Sequence, residues 1–147
     1  MTAIQFYHLT ATPLERALPK LLEKALAAGM RSLVVAGNEE RVEQLNQLLW
    51  TYDQGSFLPH GSNKDGYSDQ QPVLLSTDAT PANGAKLLVI TDGRTADGDF
   101  ERILDMFDGN DPEAVANARQ RWTLYKNGGH EISYMRQTET GGWEKAA

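Results

Sequence analysis

The chain has 147 residues, 40% of them hydrophobic, and its 20 acidic and 14 basic side chains give a formal charge of −6. This length suits a single domain over residues 1–147, and the absence of cysteine excludes disulfides, thiol nucleophiles and cysteine-based metal sites. The acidic balance disfavours tight direct binding to nucleic acid. Because the first residues lack a signal-peptide pattern and no apolar run approaches the roughly 20 residues of a membrane span, we expect a cytoplasmic protein without membrane contact.

The first third of the chain predicts a strand, a helix, a second strand and a second helix. Residues 4–9 form the first strand, and Thr12, as N-cap before a proline, starts a helix that ends at Gly29. Residues 31–36 form a short buried strand, after which Asn38 opens the second helix. Apolar side chains recur at spacings of three and four in both helices: Leu14, Leu18, Leu21, Leu22, Ala25 and Leu26 in the first, and Val42, Leu45, Leu48 and Leu49 in the second.

The remaining chain predicts further strands and helices after a long irregular stretch at residues 51–71, a loop length often connected with function. These elements are strands at 72–76 and 86–91, a short helix at 100–107, a longer helix from Asp111 to about Lys126, and a last strand at 131–137. Alternating strands and helices are typical of an α/β sheet covered by helices.

The search for catalytic machinery is negative. There is no phosphate-binding glycine motif, and the turn at residues 36–40 places two carboxylates where a dinucleotide phosphate would sit. His8, His60 and His130 have no ligand-like spacing, and no serine lies in a G-x-S-x-G elbow. We therefore expect no catalytic residues, no cofactor, no metal and no intrinsic enzymatic activity.

Aromatic residues beside the irregular stretch permit two interpretations. Trp50 ends the second helix, and Phe57 follows after a short polar link, just before Pro59 and His60. Composition alone favours a satellite core beneath a loop. The alternative is an exposed apolar patch for a partner protein, since tryptophan and phenylalanine bury a large area at low entropic cost.

The late helix combines cations with aromatic rings. Arg119, Trp122 and Lys126 are spaced by three and four residues and so share one face, with Tyr125 within reach. Such a face suits a peptide that ends in an aromatic residue with a free carboxylate. The alternative is that Trp122 points into the core and the cations merely favour the C-terminal half of the helix.

The order of these pieces resembles the chi-subunit family of the bacterial DNA polymerase III clamp-loader complex, the HolC-like proteins, over essentially the whole chain. The pieces that carry the resemblance are Phe6-Tyr7-His8-Leu9, Leu49-Trp50, Ser56-Phe57-Leu58-Pro59-His60, Ala118-Arg119-Gln120-Arg121-Trp122-Thr123-Leu124-Tyr125-Lys126 and Gly142-Trp143. None of them is specific alone, but their order and spacing make the joint match specific.

The resemblance implies a Rossmann-like three-layer sandwich, with a mostly parallel sheet flanked by helices and no nucleotide-binding motif. It also implies an adaptor in DNA replication with two protein partners. By position, Trp50, Phe57, Pro59 and His60 correspond to the surface for the psi subunit, which tethers chi to the clamp loader. Arg119, Trp122, Tyr125 and Lys126 correspond to the site for the acidic C-terminal tail of single-stranded-DNA-binding protein.

Two departures from the family pattern matter. Thr123 stands where better-known members have a lysine, so one cation of the tail site is missing or comes from Lys126 or Arg121. Residues 94–108 resemble only part of the family, which leaves the psi surface open. Two rival functions also stay open: a small α/β nucleotide-binding protein or enzyme, and an accessory subunit of a DNA repair helicase.

Overall fold

A computed structural model of the protein describes residues 2–52, 59–62, 64, 68–95 and 100–146. The predicted residue Phe57 lies outside these ranges. The helices are α1 (Leu14–Ala27), α2 (Glu39–Thr51) and α3 (Pro112–Asn127); the strands are β1 (Ala3–Leu9), β2 (Ser32–Val35), β3 (Gly61–Ser62), β4 (Val73–Ser76), β5 (Leu87–Ile90), β6 (Arg102–Asp108), β7 (Glu131–Gln137) and β8 (Trp143–Lys145). A short 3-10 turn at Ser68–Gln70 precedes β4.

The strands form one sheet in the order β3-β4-β2-β5-β6-β1-β7-β8. All neighbours pair in parallel except β7 and β8, which are antiparallel. Since parallel neighbours cannot be joined by a tight hairpin, long crossover connections are required, and the helices occupy three of them. The predicted mostly parallel α/β sheet is confirmed.

Helices cover both faces of the sheet. Successive strand residues point to opposite faces, so Leu33 and Val34 of β2 belong to different buried clusters. The cluster that holds Val34 includes Leu18 of α1 and Leu45 of α2, whereas the cluster that holds Leu33 includes Tyr125 of α3. The chain is therefore a three-layer arrangement, with α1 and α2 on one side and α3 on the other.

The helix ends follow local capping rules with one exception. Asn38 and Asp111 cap α2 and α3 as predicted, each side chain accepting a backbone N–H of the first turn. The N-cap of α1 is Pro13, without a side-chain cap, so the prediction of Thr12 is wrong. Thr12 Oγ1 instead accepts a hydrogen bond from Gln137 Nε2 at 2.6 Å. The Thr12 hydroxyl, which the sequence predicts as a helix cap, is thus bonded to β7 instead.

The sequence predicts a short helix over residues 100–107, and this prediction is wrong because the segment forms β6 (Arg102–Asp108). Apolar side chains at three- and four-residue spacings mimic a helix here. However, β6 lies between β5 and β1, and Ile103, Leu104 and Met106 are buried. A strand covered on both faces reads as a nearly continuous apolar run, so the periodicity of a short segment cannot distinguish it from a buried helix.

Two short edge strands were not predicted. Gly61–Ser62 adds β3 beside β4, and Trp143–Lys145 adds β8 beside β7, so the predicted last strand is followed by another. Strands of two or three residues contain too few alternations for a sequence pattern to reveal them.

Candidate binding surfaces

Helix α3 places one flank of its surface beside β7. Its buried residues, Ala118, Arg121 and Tyr125, recur at spacings of three and four and rest on the sheet. Arg119 and Trp122 lie beside this buried stripe. Because α3 crosses over β1 and the chain returns as β7, this flank adjoins β7, where Tyr134 lies against Trp122 with ring centroids 5.8 Å apart. We call the surface region of Arg119, Trp122 and Tyr134, between α3 and β7, the α3–β7 cleft.

Trp122 is half-buried and supported by aromatic rings beneath it. Its ring centroid lies 5.6 Å from Phe6 and 5.8 Å from Tyr134, with both pairs edge-to-face. Phe6 and Tyr134 are themselves stacked at 6.4 Å. The indole therefore has one side on the core and another accessible to solvent, which combines the two interpretations that the sequence left open. A ring held in this way presents apolar surface with little conformational freedom to lose.

The predicted tail-binding residues separate into surface and core groups. Arg119 and Lys126 are exposed, whereas Tyr125 is 4% exposed and packs edge-on against Phe6 at 6.1 Å. Tyr125 is thus a core residue beneath the helix. Among the described residues, no carboxylate lies within 4.0 Å of the Arg119 guanidinium, so neither Glu113 on α3 nor Glu131 on β7 forms an ion pair with it.

Arg121, the other candidate for the missing cation, is committed to the interior. Its Nε and Nη2 atoms donate to the Asp105 carboxylate on β6 at 2.6 and 3.0 Å, and Nη1 donates to the Gly93 carbonyl at 3.2 Å. Both side chains of the ion pair are buried. Burial raises the pKa of Asp105, and the hydrogen bonds and charge of Arg121 oppose that rise. Arg121 therefore fastens α3 to the sheet and is not offered to a ligand.

At the α3–β7 cleft, His8 and Tyr134 form a bonded pair that the sequence did not single out. His8 Nδ1 is hydrogen-bonded to the Tyr134 hydroxyl, and the two rings meet edge-to-face with centroids 5.7 Å apart. Gly109 packs directly against this imidazole, where a Cβ would collide with the His8 ring and with the Leu9 carbonyl. This close approach fixes the ring against the end of β6.

Two arginines act on this residue pair. Partial burial and then the charge of Arg136 lower the pKa of His8, and Arg119 acts in the same direction, against a backbone hydrogen bond of Gly109 and the charge of Asp108. Burial raises the pKa of Tyr134, which both arginines oppose. Two positive charges therefore act at the cleft in a protein with a formal charge of −6. The sequence could have placed Arg136 beside Tyr134, because residues two positions apart in a strand project from the same face.

A second surface surrounds the end of α2. Trp50 is 54% exposed, and its ring centroid lies 4.8 Å from that of His60. His60 is buried, and its Nε2 donates to the Asn46 carbonyl at 3.0 Å, while Pro59 is half-buried. The structure thus brings three of the four residues expected for the psi subunit to one place. The prediction that Phe57 continues this surface lies outside the described residues.

At several strand ends, where α/β proteins bind nucleotides, polar groups of the backbone are bonded to the chain's own side chains, although a cavity of about 500 Å³ remains between the ends of β1, β5 and β6. The backbone N–H groups of Thr10, Ala11 and Thr12, in the loop from β1 to α1, all donate to Gln137 Oε1, at 3.2, 2.9 and 2.9 Å. Converging N–H groups of this kind can bind an anion. Here a buried amide from β7 takes that position.

Arg94 forms bonds to residues that follow β2, β4 and β5. Its guanidinium donates to the carbonyls of Thr77, after β4, and Ala36, after β2, at 2.7 and 3.1 Å. It also pairs with Asp92, after β5, at 2.7 Å. The side chain therefore ties three loops together above the sheet. Within the described ranges, no group of three potential metal ligands is found, and no helix is long and apolar enough to cross a membrane.

Comparison with known proteins gives one consistent family. The sequence profile described as "DNA polymerase III chi subunit, HolC" matches residues 1–133. The "Probable DNA polymerase III subunit chi" of Rickettsia prowazekii is 31% identical over 90 residues, which are 61% of this chain and only 54% of that protein. The "DNA polymerase III subunit chi" of Pseudomonas aeruginosa is 25% identical over 137 residues, covering 90% of this chain and 94% of that protein.

Proposed function

The chain belongs to the DNA polymerase III chi subunit family, and from this premise we propose that it is a non-catalytic adaptor of DNA replication. In this role it joins the clamp loader, through the psi subunit, to the C-terminal tail of single-stranded-DNA-binding protein. A chi subunit is an accessory subunit of the polymerase III complex. The observation that best supports the tail partner is the α3–β7 cleft, where an exposed arginine stands beside a braced, half-exposed tryptophan.

The chemistry of the cleft fits an acidic tail with an aromatic end and a free carboxylate. Arg119 provides a planar guanidinium that can form two parallel hydrogen bonds to a carboxylate. Trp122 provides an apolar face for the aromatic side chain next to that carboxylate. One pair of this kind and one buried ring support a dissociation constant of about 1–10 µM rather than nanomolar binding.

A peptide titration tests the tail assignment. Arg119→Ala is expected to weaken binding of a fluorescent tail peptide, taken from the organism's single-stranded-DNA-binding protein, by about 1.5–3 kcal/mol. Arg119→Lys restores part of the loss, since an ammonium keeps the charge without the planar fork. Because Arg119 is exposed, the melting temperature should hardly change.

Amidation of the peptide's C-terminus locates the contact. If Arg119 receives the terminal carboxylate, amidation and Arg119→Ala delete the same interaction, so the double change costs much less than the sum. Fully additive losses in this double-mutant cycle would refute the pairing, and an unchanged affinity of Arg119→Ala would refute the site.

The Trp50 surface is the proposed psi contact. Trp50 and His60 lie against each other at the end of α2, and an exposed indole is a frequent anchor of protein interfaces. We expect Trp50→Asp to abolish co-purification with psi while leaving the melting temperature nearly unchanged, and Phe57→Asp to do the same. Leu124 supplies the control, because it is 58% exposed but lies on α3. If Leu124→Asp disrupts the complex and Trp50→Asp does not, the assignment is wrong.

The rival functions make different predictions. A nucleotide-binding protein gains melting temperature when nucleotide is added, whereas we expect no gain, because the converging N–H groups after β1 already donate to Gln137 and no longer offer a phosphate site. A helicase accessory subunit without a tail site predicts capture of a helicase but no response to Arg119→Ala. A pulldown with wild-type and Arg119→Ala protein as baits separates this function from the adaptor.

A further inference from the structure

A second cation, Arg136, lies near the α3–β7 cleft on strand β7. Arg136 lies on β7 two residues after Tyr134, so both side chains leave the same face of the strand. In the parallel pairing of β1 with β7, Arg136 is the direct partner of His8. The His8 ring is bonded to the Tyr134 hydroxyl, and Tyr134 touches Trp122 with ring centroids 5.8 Å apart. These contacts place Arg136 at the rim of the cleft.

Arg119 reaches the same region from α3. It precedes Trp122 by one helical turn and therefore lies on the same side of the helix. The charges of both arginines act on the His8 ring and on the Tyr134 hydroxyl, two groups that are bonded to each other. Both positive charges therefore lie near one small region, although they come from different elements of the fold.

Within the described ranges, neither cation of this pair forms an ion pair. Arg119 and Arg136 are exposed, and no carboxylate of the described residues comes within 4.0 Å of either guanidinium. Two like charges that approach the same region repel each other, and an anion between them removes this repulsion while forming charge-assisted hydrogen bonds to both. A carboxylate suits this place, because its two oxygens can accept from two planar guanidiniums.

We propose that Arg136 is a second binding residue of the α3–β7 cleft, and that it and Arg119 clamp the terminal carboxylate of the bound tail from opposite walls. This inference rests on the proposed tail-binding function and goes beyond it by adding a ligand contact from β7. Thr123, whose hydroxyl donates to the Arg119 carbonyl at 3.2 Å, offers no cation on α3. The strand supplies the second charge instead.

Glu144 gives the clamp a built-in competitor. In the antiparallel pairing of β7 with β8, Glu144 lies directly opposite Arg136, and directly opposed residues project from the same face. We therefore expect its carboxylate to lower the positive potential at Arg136, although the two side chains form no ion pair within 4.0 Å. Removing this charge should strengthen binding of an anion, an effect opposite to that of removing Arg136.

The test uses the full chain and a fluorescein-labelled peptide with the acidic tail sequence of the organism's single-stranded-DNA-binding protein. Arg136→Ala is expected to weaken binding about tenfold, Arg136→Lys to weaken it less, and Glu144→Gln to tighten it about twofold. Arg16→Ala is the matched control, because Arg16 is an exposed arginine on α1, on the other side of the sheet. It should leave the affinity unchanged, and circular dichroism should show all four variants folded.

The amidated peptide decides which group Arg136 contacts. If the clamp is correct, Arg136→Ala and Arg119→Ala each lose most of their effect when the peptide carries no terminal carboxylate. An Arg136→Ala affinity equal to that of Arg16→Ala, or a loss of equal size with free and amidated peptide, would overturn the proposal. If, in those cases, Arg119→Ala still weakens peptide binding, the proposed tail-binding function is retained without the Arg136 contact. If the wild-type protein does not bind the peptide, both the function and the contact are refuted.

Discussion

At the scale of single residues, the molecule uses chemically similar arginines in different ways. Arg121 is 5% exposed and bonded to Asp105, whereas Arg119, two residues earlier on the same helix, is exposed. The helical rotation of about 100° per residue separates them: two steps move a side chain from the buried stripe to the rim of the cleft. The same residue type thus holds α3 on the sheet at one position and is exposed to solvent at another.

The buried ion pair leads to a stability prediction. Arg121→Ala leaves the Asp105 carboxylate without its counterion in the interior, so the free energy of unfolding should fall by about 3–5 kcal/mol. Arg121→Met combined with Asp105→Leu should be much less harmful, because no charge then remains buried. Urea unfolding measures both, with exposed Arg16→Ala as control. A double variant less stable than Arg121→Ala would contradict this account.

His8 leads to a pH prediction. Its pKa is lowered in the folded protein from the ordinary 6.5. Near and below pH 6.5, His8 is therefore protonated to a larger extent in the unfolded chain than in the folded chain. The free energy of unfolding should therefore be fully retained above about pH 6.5 and should decrease as the pH falls toward the folded-state pKa. Thermal unfolding between about pH 7.5 and 5.5 should show a shallower decline in His8→Gln than in wild type. Equal slopes would exclude this contribution.

At the scale of elements, strand β7, which is next to the edge strand β8, carries side chains that reach two different parts of the surface. It carries Tyr134, which contacts Trp122, the proposed binding residue Arg136, and Gln137, which bonds to the loop between β1 and α1. Gln137 is the last residue of the strand, so its side chain reaches the loop that follows the neighbouring strand β1. One strand therefore borders the proposed binding cleft and closes the place where related folds bind phosphate.

The amide of Gln137 can be tested as an occupant of an anion-binding loop. Gln137→Ala removes the acceptor of three backbone N–H groups and should lower the free energy of unfolding by roughly 2–4 kcal/mol. Inorganic phosphate should then raise the melting temperature of the variant more than that of wild type, since it can bind to the exposed N–H groups. If phosphate raises the melting temperature of the variant and of wild type equally, the three N–H groups do not stay directed toward one point once the Gln137 amide is removed.

At the scale of the whole molecule, charge distribution matters more than net charge. A protein of formal charge −6 repels an acidic peptide at long range, yet in the proposed binding mode two arginines attract its carboxylate locally. A hydrophobic contact with Trp122 would not depend on ionic screening, whereas the ionic contacts would. Specific binding of an acidic tail by an acidic protein is therefore physically consistent.

Salt separates these contributions. Raising NaCl from about 50 to about 300 mM should weaken tail binding several-fold, because the Debye length shortens and the exposed guanidinium–carboxylate contacts are screened. The residual affinity of Arg119→Ala should depend less on salt than that of wild type. Fluorescence anisotropy at several salt concentrations measures both slopes. Parallel slopes would mean that Arg119 makes no ionic contact with the tail.

By itself, the sequence determined those features that depend on neighbouring residues. Apolar spacing identified the three helices and most of the strands, and capping chemistry identified Asn38 and Asp111, because hydrogen bonds of this kind form within one turn. The same local information placed Arg119 and Trp122 together on one flank of α3. The order of the motifs along the chain was sufficient to indicate the family.

Only the tertiary structure decided the features that depend on distant contacts. Residues 102–108 are a strand because β5 and β1 flank them, Thr12 bonds to Gln137 instead of capping α1, and Tyr125 lies in the core beneath Trp122. The approach of Arg136 to His8 follows from the pairing of β1 with β7, which joins residues 128 positions apart. Such contacts exist only after the sheet has formed, and no periodicity within a single segment specifies which strand becomes the neighbour of another.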